Sequence, residues 1–539
     1  MNIVISLMGG LGLFLYGMTL MGDGLQKSAG SKLKNIIQLL TSNKLMGVLV
    51  GAGVTAIIQS SSATTVMVVG FVNAGIMNLA QAIGVIMGAN IGTTVTAQLV
   101  SFKLDGLAPV ALGIGIILYL FSKKQHIKNI GEILIGFGIL FTGMEFMKNA
   151  VEPLREFKGF TDLLVSFGHR PLLGLLLGFA ITAIVQSSSA SMGMLVALAA
   201  QGLIPLEAAL PILYGQNIGT CVTSLLSSIG ANKNAVRAAM MHLIFNVLGT
   251  ILFLILLNRP VIAFVTNLDP GNVARQIANT HTLFNVISVV LLLPFTKFII
   301  KIAEKLVPDK PGDNIEDEKA IRYIDERMLE TPQIALGSTI KETIRMGRKA
   351  KESLEAAVLS ITEDDPELID KTYRREEVIN EQQRVILNYL LELSKKPLDE
   401  PSLILVDKLF NTVNDIERVG DHAKNIAEWS TIVREKQLHF SDEAMIQLLE
   451  MYNKSIASFQ YAIDAVRKED YDLAKKVFKI ENQVDALEKE CRESHMSRLN
   501  KNLCTVENGV IYLDIVASLE RISDHASNIA ERVISKTYS

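Results

Sequence analysis

Apolar residues dominate the first 300 or so positions, in stretches of the length a bilayer core demands, roughly 17–25 residues for a spanning helix. Such stretches lie near 4–21, 80–100, 107–121, 130–147, 206–228, 237–257 and 279–303, the third being the shortest. Two further apolar stretches, 45–77 and 171–204, follow a different pattern. Each is cut by a polar knot, Gln59-Ser60-Ser61-Ser62 in one and Gln186-Ser187-Ser188-Ser189 in the other. The arms beside each knot hold about 12–15 residues, too few to span. The pattern predicts two re-entrant hairpins, tolerated in a membrane only where protein or a wet cavity surrounds the bent backbone. Beyond Pro308-Asp309-Lys310-Pro311-Gly312 the spacing of apolar residues becomes that of amphipathic helices, broken at Pro366, Pro397 and Pro401. Its length suits two three-helix units. The expected fold class is all-α: a polytopic membrane domain over 1–303, a linker over 304–330 and a soluble helical-bundle domain over 331–539.

Charge sharpens this division. Residues 1–300 carry 17 Lys+Arg and 9 Asp+Glu, whereas 301–539 carry 35 and 46, so a net of +8 faces a net of −11. Two such halves meet different solvents. The acidic half is expected in the cytoplasm, and seven spans then put the N-terminus outside. Lys27, Lys32, Lys34, Lys44, Lys123, Lys124, Lys128 and Lys233 fall in inside loops, against Lys103, Lys148, Arg155, Lys158, Arg170, Arg259 and Arg275 outside. The excess inside is small but in the direction membrane proteins favour. Residues 1–20 show no basic n-region and no cleavage site, which reads as a first span and not a signal peptide. The expected location is the plasma membrane, multi-pass. Cys221, Cys491 and Cys504 form neither a disulfide framework nor a zinc spacing.

The chain repeats itself. Shifted by 127 residues, 47–101 aligns without a gap on 174–228, with 25 identities in 55 positions. Thr55 and the first knot answer Thr182 and the second; Asn90-Ile-Gly-Thr93 answers Asn217-Ile-Gly-Thr220, and Val95-Thr96 answers Val222-Thr223. Repeats extend over about 4–121 and 130–257, and the span count runs their first helices in opposite directions, so the repeats are inverted. Inverted repeats with paired broken helices point to a transport site at the midplane. The identities also concentrate on Gln, Ser, Thr and Asn, residues that lipid disfavours.

No charged residue lies between Lys44 and Lys103, and only Glu207 lies between Arg170 and Lys233. A site here must use hydroxyls, amides and backbone. The inner N-terminus of a broken helix offers unpaired N–H groups and partial positive charge, a cradle for an anion. Oxygen atoms of the same segments can hold a hard cation. A buried anion without Lys or Arg is costly to desolvate, so co-bound cations are expected. No His or acid accompanies the serines nearby and no Gly-x-Ser-x-Gly elbow is present, which speaks against a serine nucleophile; the chain is not expected to be an enzyme. A smaller echo, His242-Leu-Ile-Phe-Asn246 and His281-Thr-Leu-Phe-Asn285, fits a packing role as well as a site role.

Together the two Gln-Ser-Ser-Ser knots, the paired Asn-Ile-Gly-Thr segments and the His-x-x-Phe-Asn pair resemble the type II sodium–phosphate cotransporter family over roughly 1–303. The resemblance implies sodium-coupled uptake of inorganic phosphate, with sodium co-transported and both ligands held around Gln59, Ser60, Ser61, Ser62 and Gln186, Ser187, Ser188, Ser189. The internal repeat adds Thr55, Thr182, Asn90, Thr93, Asn217 and Thr220. Alternatives are a phosphate sensor that does not transport, a carrier of another oxyanion, or proton coupling.

In the acidic half Glu417-Arg-Val-Gly-Asp421-His-Ala recurs 103 residues later as Glu520-Arg-Ile-Ser-Asp524-His-Ala, and Glu376 echoes Glu481 with Asp485. At helical spacing Glu417, Asp421 and Glu428 share one face, as do Glu520, Asp524 and Glu531. Such oxygen-rich stripes can build a metal site in a bundle. The doubled motif is similar to that of the PhoU family over roughly 330–536. This implies two three-helix bundles, metal of a divalent, iron or zinc type, and regulation. Asn380 takes the place of a carboxylate in one ligand set. Expected partners are inorganic phosphate, membrane lipid, a second copy of the chain and phosphate-signalling proteins; nucleic acid is not among them.

Overall fold

The computed structural model describes residues 2–39, 43–102, 106–159, 170–308, 321–363 and 365–535. Lys103, most of the Pro308–Gly312 motif and the side chains of Lys32 and Lys34 lie outside the described residues. The described residues contain helices and no strand. Two compact units form, one of Met1–Asn314 with Asp325–Ile334, the other of Ile315–Ile324 with Ala335–Ser539.

The first unit holds α1 (Asn2–Leu39), α2 (Lys44–Ile58), α3 (Ser61–Asn73), α4 (Leu79–Ser101), α5 (Ala108–Phe121), α6 (Gln125–Val151), α7 (Pro171–Val185), α8 (Ser188–Ala200), α9 (Leu206–Ser227), α10 (Lys233–Leu252), α11 (Asn258–Leu268), α12 (Val273–Leu292) and α13 (Thr296–Leu306). Asparagine opens several of them. Asn43, Asn78, Asn232 and Asn272 each accept a hydrogen bond from the amide three residues on, which satisfies one of the otherwise orphaned first-turn donors. Among the described residues five stretches are long and apolar enough to cross a membrane: Ile3–Ala29, Leu79–Ser101, Gln125–Glu156, Lys233–Leu268 and Val273–Leu306. Several run beyond the spans that hydropathy suggested. A π turn at Phe253–Leu257 carries α10 into α11, and a 3-10 turn at Leu293–Phe295 joins α12 to α13. Helix α5 has 14 residues. Helix α9 has 22 but is not among the five, because the Gln216, Asn217, Thr220 and Ser224 side chains dilute its apolar character.

The duplication is visible in the packing. α2 lies against α4 as α7 lies against α9, α3 packs on α9 and α8 on α4, so each half's broken hairpin touches the other half's long helix. α10 packs on α3, α4 and α9, whereas α12 packs on α8, α9 and α4. This pair therefore continues the pseudo-symmetry beyond the gap-free repeat. Where the linker was expected, Glu326–Glu330 forms a 3-10 turn within the first unit. Asn73 donates to Asp325 (2.7 Å), and Arg327 donates to the carbonyl of Ile229 (3.2 Å) and to Asp325 (2.8 Å).

The second unit contains α14 (Pro332–Glu363, from Ala335 on), α15 (Pro366–Ser394), α16 (Glu400–Glu435), α17 (Asp442–Lys468), α18 (Tyr471–Asn500) and α19 (Val506–Ile534). Pro366 and Pro401 sit in the first turns of α15 and α16, where a missing N–H costs nothing. α17, α18 and α19 pack mutually, and α16 meets both α15 and α19.

Candidate functional site

Both knots have the same backbone. α2 ends at Gln59 in the left-handed region (φ 60°), its amide donating to the Thr55 carbonyl at 2.8 Å; α7 ends at Gln186 (φ 54°), donating to Thr182 at 2.8 Å. Ser60 and Ser187 then cap α3 and α8, their hydroxyls accepting from Ala63 (3.1 Å) and Ala190 (3.2 Å). A left-handed glutamine between two helices is uncommon for a residue with a Cβ. Its occurrence at both equivalent positions marks a deliberate break. The caps leave the first amides of α3 and α8, at Ser61, Ser62, Ser188 and Ser189, at the open helix ends.

The side chains around the two breaks differ. Gln59 is buried and its Oε1 accepts from Thr96 at 2.8 Å, while the Thr55 hydroxyl donates to Thr64 at 2.9 Å. Gln186 is exposed, and the buried hydroxyl of Thr182 has no protein partner. The first knot is closed by side-chain bonds that the second lacks. Thr96 was not among the expected site residues, although its match to Thr223 was a signal for it. Asn90 and Asn217 are buried, donating to the carbonyls of Ile86 (2.8 Å) and Leu213 (3.1 Å); Thr93 and Thr220 donate to Ala89 and Gln216, both at 3.0 Å. Each of these four thus donates to a carbonyl of its own helix. Asn217 Oδ1 also meets His281 Nε2 at 3.3 Å.

In the second unit Glu481, Asp485 and Asp524 bring ligand oxygens within 4.8 Å of one another. Burial and the neighbouring Asp485 and Asp524 push the Glu481 carboxyl above its usual range, and burial followed by Asp524 does the same to Glu520. Arg521 reaches Asp524 (3.5 Å) and Glu520 (3.7 Å) from the exposed side, and a metal ion among the crowded carboxylates would add positive charge. The corresponding first copy is arranged differently. Lys424 Nζ lies 3.2 Å from Glu376 Oε1, and Asn380 donates to the same oxygen at 2.9 Å. Lys424 stands where the second copy has Ser527, so an ammonium sits on Glu376, with Glu428 and Asp421 close enough to act on it. Burial still raises Glu417 and Asp421. Glu428 and Glu531 are exposed. Asp415 on α16 accepts from His525 (2.8 Å) and Arg532 on α19, a tie between the two bundles that the sequence did not suggest.

A family model described as Na+/Pi-cotransporter matches residues 13–149 and 155–267, and one described as PhoU domain matches 343–430 and 448–533. The uncharacterized protein YqeW of Bacillus subtilis is 34% identical over 310 residues, 58% of this chain and 100% of YqeW. The chain belongs to the Na+/Pi-cotransporter family. Neither matched family is one of enzymes. This cotransporter-family chain is also similar to the "Putative inorganic phosphate export protein YjbB" of Escherichia coli O157:H7, at 24% identity over 536 residues, 98% of this chain and 97% of that protein. The crystal structure of the phosphate transport system regulatory protein PhoU from Streptococcus pneumoniae overlaps 38% of this family member and 95% of that chain, at 23% identity and a TM-score of 0.35. Phosphate transport with an attached PhoU domain is thus the family setting of both sites.

Proposed function

We propose that this protein carries inorganic phosphate across the plasma membrane by sodium-coupled symport, with a cytoplasmic PhoU-like regulator. The observation that carries this reading is the pair of equivalent helix breaks. Each presents a serine-capped helix N-terminus, and no Lys or Arg occurs within 45–102 or 171–232. Helix-end amides and serine hydroxyls at Ser60–Ser62 and Ser187–Ser189 suit an oxyanion. Oxygen atoms of Gln59, Gln186, Thr55, Thr182, Asn90, Asn217, Thr93 and Thr220 suit the sodium ions that offset its charge. One break closed and its counterpart open supports alternating access, in which pseudo-symmetric halves exchange conformations. The carrier is taken as 1–303 with the docked 325–334 segment, and the regulator as the remainder to 539. In the regulator Glu481, Asp485 and Asp524, with Glu520 beside them, would hold a metal ion. A second chain and phosphate-signalling proteins are the partners proposed for it.

Uptake of labelled phosphate into proteoliposomes tests the reading. An inward sodium gradient should accelerate uptake over sodium-free and proton-gradient controls. Ser61→Ala and Ser188→Ala should each cut the rate strongly with normal protein yield. Equal uptake without sodium would end the coupling, competition by another oxyanion would reassign the cargo, and no uptake by wild type would leave a sensor. The export named for YjbB, which matches nearly the whole chain, favours a second reading: the same cycle run outward. Vesicles loaded with phosphate and sodium separate the two directions.

A further inference from the structure

Two polar rows in the transport unit take no part in the knots. α10 carries His242, Asn246 and Thr250, and α12 carries His281, Asn285 and Ser288; all six are buried. Spacings of three and four residues put each row on one helix face. The faces meet, because a Cβ built on Gly249 would lie 2.8 Å from Ser288 Oγ. Phe253, Phe284 and Tyr214 stack nearby, with centroids 4.8–5.9 Å apart, and supply an apolar wall.

Hydrogen bonding sorts the polar atoms of these rows. Asn246 and Asn285 donate their amide groups to the carbonyls of His242 (3.1 Å) and His281 (2.9 Å), which leaves each Oδ1 without a partner. His281 Nε2 meets an oxygen that can only accept, Asn217 Oδ1, so in a neutral ring Nε2 carries the proton and the unpartnered Nδ1 is a bare lone pair. Ser224 spends its hydroxyl proton on the Cys221 carbonyl (2.8 Å), so His242 Nδ1 donates to it (3.2 Å) and the unpartnered Nε2 is again a lone pair. Thr250 and Ser288 hydroxyls are likewise without partners. What remains buried is four bare acceptors, two amide oxygens and two ring nitrogens, beside two hydroxyls that bring one proton each. An isolated buried acceptor is costly, and four of them on two equivalent rows, with only two hydroxyl protons among them, call for a further donor or a cation. An anion would meet two hydroxyl protons against four lone-pair acceptors and no positive charge. A divalent ion would lack the carboxylates needed to offset its dehydration.

We propose that Asn246, Thr250, Asn285 and Ser288 form a neutral-oxygen site for a monovalent cation, sodium, separate from the serine knots and next to Asn217 through His281. This rests on the sodium-coupled reading above. The ion would join α10 and α12 to α9, and so couple its occupancy to the Asn217 segment of the second repeat.

The test uses the purified full-length protein. Thermal unfolding is followed while NaCl replaces choline chloride at constant ionic strength, and phosphate uptake is measured in parallel. Wild type should be stabilised by sodium and not by choline. Asn285→Leu, Ser288→Ala and the near-isosteric Thr250→Val should each raise the sodium concentration for half-maximal stabilisation about tenfold or more, equal to about 1.4 kcal/mol. Half-saturation by phosphate at saturating sodium should stay within about twofold, a change of under 0.5 kcal/mol. Should Asn285→Leu fail to fold, the two hydroxyl variants decide. Sodium titrations within twofold of wild type in those variants overturn the site, as does equal stabilisation by choline, which would mean the rows hold only water. If sodium stabilises wild type and the variants lose this while uptake ignores sodium, the site stands and the coupling falls. If uptake needs sodium and the variants titrate normally, the coupling stands and the site falls.

Discussion

Adding one methyl group at Gly215 should separate the second hairpin from its long helix. A Cβ there would lie 2.0 Å from the Leu175 carbonyl oxygen and 2.9 Å from the Phe179 amide nitrogen, all backbone of α7. The counterpart Gly88 on α4 would meet the Val48 carbonyl oxygen at 2.1 Å. Carbon and oxygen in close contact ordinarily sit about 3.3–3.6 Å apart, so the helices must part by roughly 1.3 Å along the crossing. Overpacking costs roughly 1–3 kcal/mol when side chains can yield. Here backbone faces backbone, and the upper end or more is expected, against a gain of about 1 kcal/mol from replacing glycine by alanine in a helix. Gly53 on α2 supplies the control, since nothing lies within 4 Å of its added Cβ and only the helix gain remains. Gly215→Ala and Gly88→Ala should therefore be less stable than Gly53→Ala by roughly 3 kcal/mol, the overpacking cost, since the helix gain is common to all three and cancels. Detergent melts of the three variants measure this. Uptake should fall in the first two because Gln186 and Gln59 end the displaced helices. Gly215→Ala melting at or above Gly53→Ala would refute the reasoning.

Three further outcomes are expected. Thr96→Val removes the donor that closes the first knot onto Gln59 and should change the ratio of inward to outward phosphate flux, whereas Thr223→Val should leave it near wild type; equal effects of the two would deny the asymmetry. Elemental analysis should find metal that is lost in Asp485→Ala and Asp524→Ala but largely kept in Asp421→Ala, where Lys424 already sits on Glu376. Metal loss should cost about 2.7 kcal/mol of stability if the ion is present at 100 times its dissociation constant. Burial raises the Asp415 carboxyl, but hydrogen bonds from His525 and Arg532 outweigh it and hold the group below its usual 3.8. Its contribution is therefore present above that value and lost as pH falls through the lower folded value. Asp415→Asn should destabilise the acidic half at pH 7 by roughly 1.5–3 kcal/mol, the range for hydrogen bonds to a charged group. That difference should shrink on acidification below pH 4, as unfolding curves of both proteins at several pH values would show.

What local pattern can encode, the sequence determined alone: the all-α class, the change of charge density between the two halves, the two broken hairpins and the doubled Glu-Arg-x-x-Asp-His-Ala motif. Each follows from residue type and spacing within a few turns of helix, where hydrophobic period, cap residues and charge density act directly. The duplication also told which residues to watch. It could not tell how two nearly identical segments differ, because that difference lies in partners far along the chain. Gln59 is closed by Thr96 and Gln186 is open although the motifs match letter for letter. Glu376 is neutralised by Lys424, 48 residues away, through the packing of α15 on α16. The histidine echo reads equally well as packing or site, and that its two helices both pack on α9 appears only in the fold. Residues 321–330 read as linker because their polarity is that of a loop, yet Met328 and Leu329 are buried. Burial depends on which surface a segment meets, and only the tertiary structure supplies that surface.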